Sequence, residues 1–181
     1  MKCMICKNVE MVKRELEEKL PASECTKCGG IWISANNYWN WLKSQGSPLP
    51  EKPENYTLKL EVFDSKQVKI CPDCGHFLTR RKVGHGLGFC VDRCETCGGI
   101  WLDKNEWEIL KSRNLHDEIH FIFSEPWQRA VAQEENRKAY ESHAEKFLGT
   151  ADYGKISEFK RWLEKHPQKS FILAYVKNQE L

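Results

Sequence analysis

The sequence predicts a small α+β fold built from one module used twice, each copy a β-hairpin followed by a short helix, with an α-helical C-terminal region. Three observations point there. Cys25-Thr-Lys-Cys28-Gly-Gly-Ile-Trp-Ile33 returns sixty-nine residues later as Cys94-Glu-Thr-Cys97-Gly-Gly-Ile-Trp-Leu102, and self-similarity at a fixed interval marks a repeated structural unit. Eight of the nine cysteines fall into four Cys-x-x-Cys pairs, two in each copy. Beyond the second copy the apolar residues change to a helical spacing.

The first copy opens with Cys3-Met-Ile-Cys6 and closes its cysteine set with Cys25 and Cys28; the second uses Cys71, Cys74, Cys94 and Cys97. Eighteen residues separate Cys6 from Cys25 and nineteen separate Cys74 from Cys94, which suits two metal-binding knuckles joined by a hairpin. A Cys-x-x-Cys turn delivers two sulfurs from one tight knuckle, and two knuckles complete the tetrahedral shell of zinc. Iron accepts the same four thiolates. Glycine follows the second cysteine of a knuckle at Gly29, Gly75 and Gly98, where a left-handed turn is required; after Cys6 stand Lys7 and Asn8 instead, with Asn8 the better suited to that conformation. A module of about 40 residues buries too little apolar surface to fold alone, so metal must supply the difference. The reading is two structural Zn2+ ions. Four thiolates leave no open position for water, which argues against hydrolytic zinc.

Each copy ends in a short amphipathic helix, with Ser34 and Asp103 as candidate N-caps and Trp39–Ser44 aligned with Trp107–Ser112 after one extra residue. Between the copies, Gln45-Gly-Ser-Pro-Leu-Pro-Glu-Lys-Pro53 reads as a linker that lets the modules move relative to each other, and the alternation from Tyr56 to Phe63 as a half-buried strand. The division is therefore 1–45, the first module; 46–69, a linker with a strand; 70–114, the second module; and 115–181, a helical region. There, Ser124 caps a helix running to Leu148, Gly149 stops it, a second helix spans Ser157–His166, and Phe171–Val176 forms a last helical segment.

The chain carries a net charge of +2, and no segment has the basic excess of a protein held mainly by phosphate neutralisation. No apolar run reaches membrane-span length and the N-terminus lacks a signal peptide's apolar stretch, so a cytoplasmic protein with no membrane partner is expected, its thiols kept reduced. Cys90 lies outside the knuckles and reads as a small strand residue. His116 and His120 stand four apart, but without the glutamate placement of a zinc protease they read as a solvated helix start. Trp32 and Trp101 belong to the repeated block and read as cover for the zinc knuckles. Arg80, Arg81, Lys82 and His85 form the basic arm and tip of the second hairpin, where a partner or nucleic acid would be contacted.

At these residues the sequence resembles the bacterial zinc-finger family related to the zinc ribbon of transcription factor IIB. Cys71-Pro72-Asp73-Cys74-Gly75 and Cys94 to Asp103 match its pattern closely, whereas Cys3-Met-Ile-Cys6-Lys7 lacks the proline and glycine. The resemblance implies tandem zinc ribbons over about residues 1–44 and 70–113 and little about partners. No nucleophile–base pair, phosphate loop or open metal site is visible, so no enzyme and no small-molecule substrate are expected. The expected role is a non-catalytic adaptor that binds a protein partner through its ribbons and helical tail. The alternative is a nucleic-acid-binding or transcription-associated protein using the basic hairpin of ribbon 2.

Overall fold

The computed structural model describes residues 1–45 and 60–178. In the first ribbon, β1 (Met11–Glu17) and β2 (Leu20–Cys25) form the hairpin, and β3 (Ile31–Ile33) leads into α1 (Ala35–Gln45). The second ribbon repeats this with β4 (Leu78–Gly84), β5 (Leu87–Cys94), β6 (Ile100–Leu102) and α2 (Glu106–Ser112). There follow α3 (Ile119–Ile122), α4 (Glu125–Leu148), α5 (Thr150–Glu164) and α6 (Lys169–Lys177). The chain divides into two compact units, Met1–Val131 and Ala132–Leu181.

The two ribbons do not move independently as the linker suggested, because they share one six-stranded sheet in the order β1-β2-β3-β6-β5-β4. Its centre is the antiparallel pair β3–β6, in register Ile31↔Leu102, Trp32↔Trp101 and Ile33↔Ile100. That register is self-complementary. A pseudo-two-fold axis passes through the Trp32–Trp101 pair, as in an isologous dimer interface. Both central strands are buried on both faces: Ile31, Ile33, Ile100 and Leu102 join the core beneath the helices, while Trp32 and Trp101 join the cysteine side. A three-residue run of unbroken apolar side chains is what such a strand requires.

The repeated Gly-Gly-Ile-Trp block explains how the halves fit. A Cβ placed on Gly30 would lie 2.1 Å from the Trp101 ring, and one on Gly99 would lie 2.2 Å from the Trp32 ring. Each tryptophan therefore packs over the other ribbon's glycine, at a distance that admits no side chain. The block is an interface motif as much as a knuckle motif.

Several local expectations change. Ser34 caps α1, its Oγ accepting from the Asn37 N–H at 3.3 Å. Asp103 does not cap α2; its carboxylate accepts from Trp101 Nε1 at 2.8 Å and from the Ser65 N–H at 2.8 Å. The residue preceding α2 is Asn105, in a left-handed conformation with no side-chain cap. At the constant interval of sixty-nine, Tyr38 and Trp41 correspond to Trp107 and Leu110, and all four are buried, whereas Trp39 is exposed. The extra residue inserted to align Trp39 with Trp107 was therefore misplaced: helix phase, not residue identity, decides which side chain reaches the core.

Of the strand expected over Tyr56–Phe63, residues 56–59 lie outside the described residues, and Leu60–Phe63 is not a strand. It is an irregular strap, held by Asn105 Nδ2 donating to the Glu61 carbonyl at 2.8 Å and the Phe63 N–H donating to the Lys104 carbonyl at 3.3 Å. His116 is not solvated. It is buried, with its ring 5.7 Å from that of Trp41 and 5.5 Å from that of Trp107. The outer edge of β4 is closed by the start of α4, where Trp127 Nε1 donates to the Val83 carbonyl at 2.8 Å and Gln128 Nε2 to the Lys82 carbonyl at 2.9 Å.

In the second unit, α4 ends at Leu148, where Gly149 takes a φ of +79°. The next helix begins at Thr150, seven residues before the expected Ser157. Phe171–Val176 is helical, within α6.

Candidate metal centres

Within each ribbon the sequence places one knuckle before the hairpin and one after it, and the β1–β2 and β4–β5 pairings carry the two together. Met11 lies opposite Cys25 and Leu78 opposite Cys94. The ligand atoms of Cys3, Cys6, Cys25 and Cys28 all lie within 4.8 Å of one another, as do those of Cys71, Cys74, Cys94 and Cys97. The Cys3–Cys28, Cys71–Cys97 and Cys74–Cys94 sulfur separations are 3.7, 3.5 and 3.4 Å. Four sulfurs held about 2.3 Å from a common zinc ion sit about 3.8 Å apart, and a disulfide would need about 2.05 Å. None of the nine cysteines forms a disulfide.

Each knuckle turns back on itself through the same backbone bond. The N–H groups of Lys7, Gly29, Gly75 and Gly98 donate to the carbonyls of Cys3, Cys25, Cys71 and Cys94 at 2.8, 2.8, 3.0 and 2.8 Å. That bond demands a left-handed residue, and in the first knuckle Lys7 supplies it at φ +57°, not Asn8. The four thiols of a site cannot all ionise unaided. In the first site burial holds the Cys28 thiol well above its ordinary value, whereas burial of Cys25 is outweighed by the backbone N–H groups of Cys28 and Lys27, which bring it to about 7. A divalent ion removes the conflict by neutralising the sulfurs it binds.

Tryptophan joins the two centres. Trp32 and Trp101 pack with the knuckle cysteines of both ribbons, and Trp32 Nε1 donates across the pseudo-two-fold to Asp73 Oδ2, inside the second ribbon's knuckle, at 3.1 Å. Ile5 occupies the corresponding place in the first knuckle and offers no side-chain acceptor, and Trp101 Nε1 donates to Asp103 Oδ1.

Paired Cys-x-x-Cys knuckles on a hairpin, twice over, are the signature of a known module. The transcription factor zinc-finger family model, of the zinc-ribbon type found in transcription factor IIB, matches residues 2–44 and 66–113. The chain belongs to this family. No curated protein and no solved structure is detectably similar to it. The two zinc ribbons each hold a structural zinc ion with four cysteines. Among the described residues no helix is long and apolar enough to cross a membrane.

The basic hairpin of ribbon 2 is less available than its sequence suggests. Arg80 is half-buried, ion-paired with Asp64, 3.4 Å from Asp92, and donates to the Ser65 carbonyl. Arg81, Lys82 and His85 are exposed, and the His85 ring lies 4.6 Å from that of Trp127. Cys90 is half-buried opposite Lys82, apart from both four-cysteine groups, and burial raises its thiol above the ordinary value. His116 and His120 form no metal group: the His120 ring packs instead against Trp39 at 5.0 Å.

A buried polar network beneath ribbon 2 went unread in the sequence. Lys69, whose side chain is fully buried, donates to Asp92 Oδ2 at 2.6 Å and to the Ser65 carbonyl at 2.9 Å, and lies 3.4 Å from Asp103 Oδ2. Glu106 is also fully buried, with Oε2 accepting from the Asp103 N–H at 2.8 Å. The signal was present in the repeat. Where ribbon 2 has Asp92, Asp103 and Glu106, ribbon 1 has Ser23, Ser34 and Asn37; charges at positions that are small and polar in the other copy mark a local ion network.

Proposed function

We propose that the protein is a non-catalytic adaptor whose fused ribbons present a rigid surface to a protein partner. One observation carries the reading. Ile70 and Phe77 face each other across an isolated bridge at the knuckle of ribbon 2, and they are 52% and 70% exposed. The equivalent bridge in ribbon 1 is Lys2↔Glu10. The first ribbon builds the same four-thiolate knuckle with a charged pair, so the apolar pair is not needed to hold zinc. Val68, two residues before Ile70 and exposed, extends the apolar strip, and such strips mark interaction sites. The closed thiolate shells support the non-enzymatic part of the reading, since neither leaves a position for water or substrate.

The nucleic-acid alternative rests on Arg81 and His85, exposed on the hairpin, while Arg80 is paired with Asp64 and Asp92. Affinity capture from nuclease-treated extract with the wild-type chain and an Ile70→Lys/Phe77→Glu variant separates the two. The variant is expected to keep both zinc ions and lose the captured protein. Capture that disappears on nuclease treatment, and is indifferent to these substitutions, would favour nucleic acid.

A further inference from the structure

The C-terminal helices carry a pattern that the ribbons do not use. In α6, Phe171-Ile-Leu-Ala-Tyr-Val176 is uninterrupted by charge, and Lys169, Ser170 and Lys177 fall within about 100° of one another around the helix axis, leaving a broad apolar face opposite them. None of its residues is buried; Phe171, Tyr175 and Val176 are 69%, 59% and 58% exposed. In α5, Ile156, Phe159 and Trp162 are exposed on one stripe, while Lys155, Lys160 and Arg161 are exposed beside it. Residues 150–178, which contain all of α5 and α6, hold six lysines and arginines against three carboxylates, Asp152, Glu158 and Glu164, of which Asp152 pairs with Lys155 at 3.1 Å, whereas the rest of the chain has one more carboxylate than cations. The protein's net positive charge thus resides in the segment that also exposes its apolar side chains.

We propose that α5 and α6 form a docking surface for an anionic phospholipid bilayer. An amphipathic helix with a lysine edge and an apolar face carrying aromatic side chains lies in the boundary between anionic headgroups and acyl chains, its apolar face covered and its polar edge in water, and the positive balance of this segment matches such a surface. At nine residues α6 is about 14 Å long, less than half a hydrocarbon core, so it lies at the surface and does not span it. Lys169 and Lys177 reach headgroups from its ends, and Trp162 and Tyr175 are the aromatic types that settle at that depth. The lack of a membrane-length segment, from which no membrane partner was expected, does not bear on binding of this kind.

The test is co-sedimentation of the zinc-loaded full chain with vesicles of phosphatidylcholine alone or with about 30 mol % phosphatidylserine. Binding to the anionic vesicles is expected to be at least about tenfold tighter and to weaken by about tenfold when salt is raised to roughly 0.5 M. Lys169→Glu/Lys177→Glu, which leaves the apolar side chains in place, and Phe171→Glu/Leu173→Glu should each abolish the preference, with zinc content unchanged. Equal affinity for neutral and anionic vesicles, binding to neither, or full binding by the lysine variant would overturn the proposal. So would loss of a co-purifying protein, rather than of vesicle binding, in the α6 variants. Ile70 and Phe77 take no part in this proposal, so either reading can fail without the other.

Discussion

Glu106 is a carboxyl group placed where a carboxylate is costly. Its Oε1 has no hydrogen-bond partner among the described residues, and burial, followed by the charge of Asp103, raises it well above the usual carboxylate range. The folded state therefore holds a proton that the unfolded chain releases near pH 4.5. The group's full contribution to stability is present below that value and falls as pH rises toward its folded-state value, by up to about 1.4 kcal/mol per pH unit. Glu106→Gln, which mimics the protonated form, should match wild type near pH 4 and exceed it at pH 8. Thermal denaturation across that range checks it; a variant less stable at every pH would show that the ionised form is the one the fold holds. Lys7 illustrates strain at the same scale: a side chain occupies the left-handed position that glycine takes in the other three knuckles, at a cost of about 1 kcal/mol.

Among the elements, the β3–β6 pair decides whether there are two small modules or one sheet. Gly99→Ala would place a methyl group against the Trp32 ring, where the ideal Cβ lies 2.2 Å from the nearest ring atom. Neither the strand nor the ring has room to retreat, since Trp32 and Ile100 are both buried. A loss of about 3 kcal/mol is expected. Chemical denaturation of the zinc-loaded variant measures it, and a loss below about 1 kcal/mol would mean that the ribbons separate easily. The paired glycines could be read as turn formers from sequence. Their second role, making room for the other copy's tryptophan, was not legible, because it depends on a contact between residues sixty-seven apart, Trp32 and Gly99.

For the molecule as a whole, a shared sheet implies that the two metal centres support one another. Cys28→Ser removes a ligand from the first site, and through Trp32, which touches both centres, it should also speed chelator stripping of the second. Metal release followed with a colorimetric chelator, with zinc per chain measured before and after, reads this directly. Unchanged release from Cys71, Cys74, Cys94 and Cys97 would mean that the ribbons fold as separate modules. Because zinc binding in such modules is worth on the order of 10 kcal/mol, chelation of both sites is expected to unfold the sheet.

The eight ligands, the repeat and the helical character of the C-terminal region, though not the start of α5, were readable from the chain alone, because each rests on spacing within a few turns or a few tens of residues. Cys-x-x-Cys sets a knuckle, a three- and four-residue apolar rhythm sets a helix, and Ser34 or Gly149 sets an end. What the tertiary structure decided is what those pieces do to each other. Three-residue strands such as β3 and β6 have no local rule for choosing a partner, and the cation of Arg80 is spent or available according to whether Asp64 and Asp92 are brought beside it. Pairing, burial and charge compensation are properties of neighbours in space, and no pattern along one segment contains them.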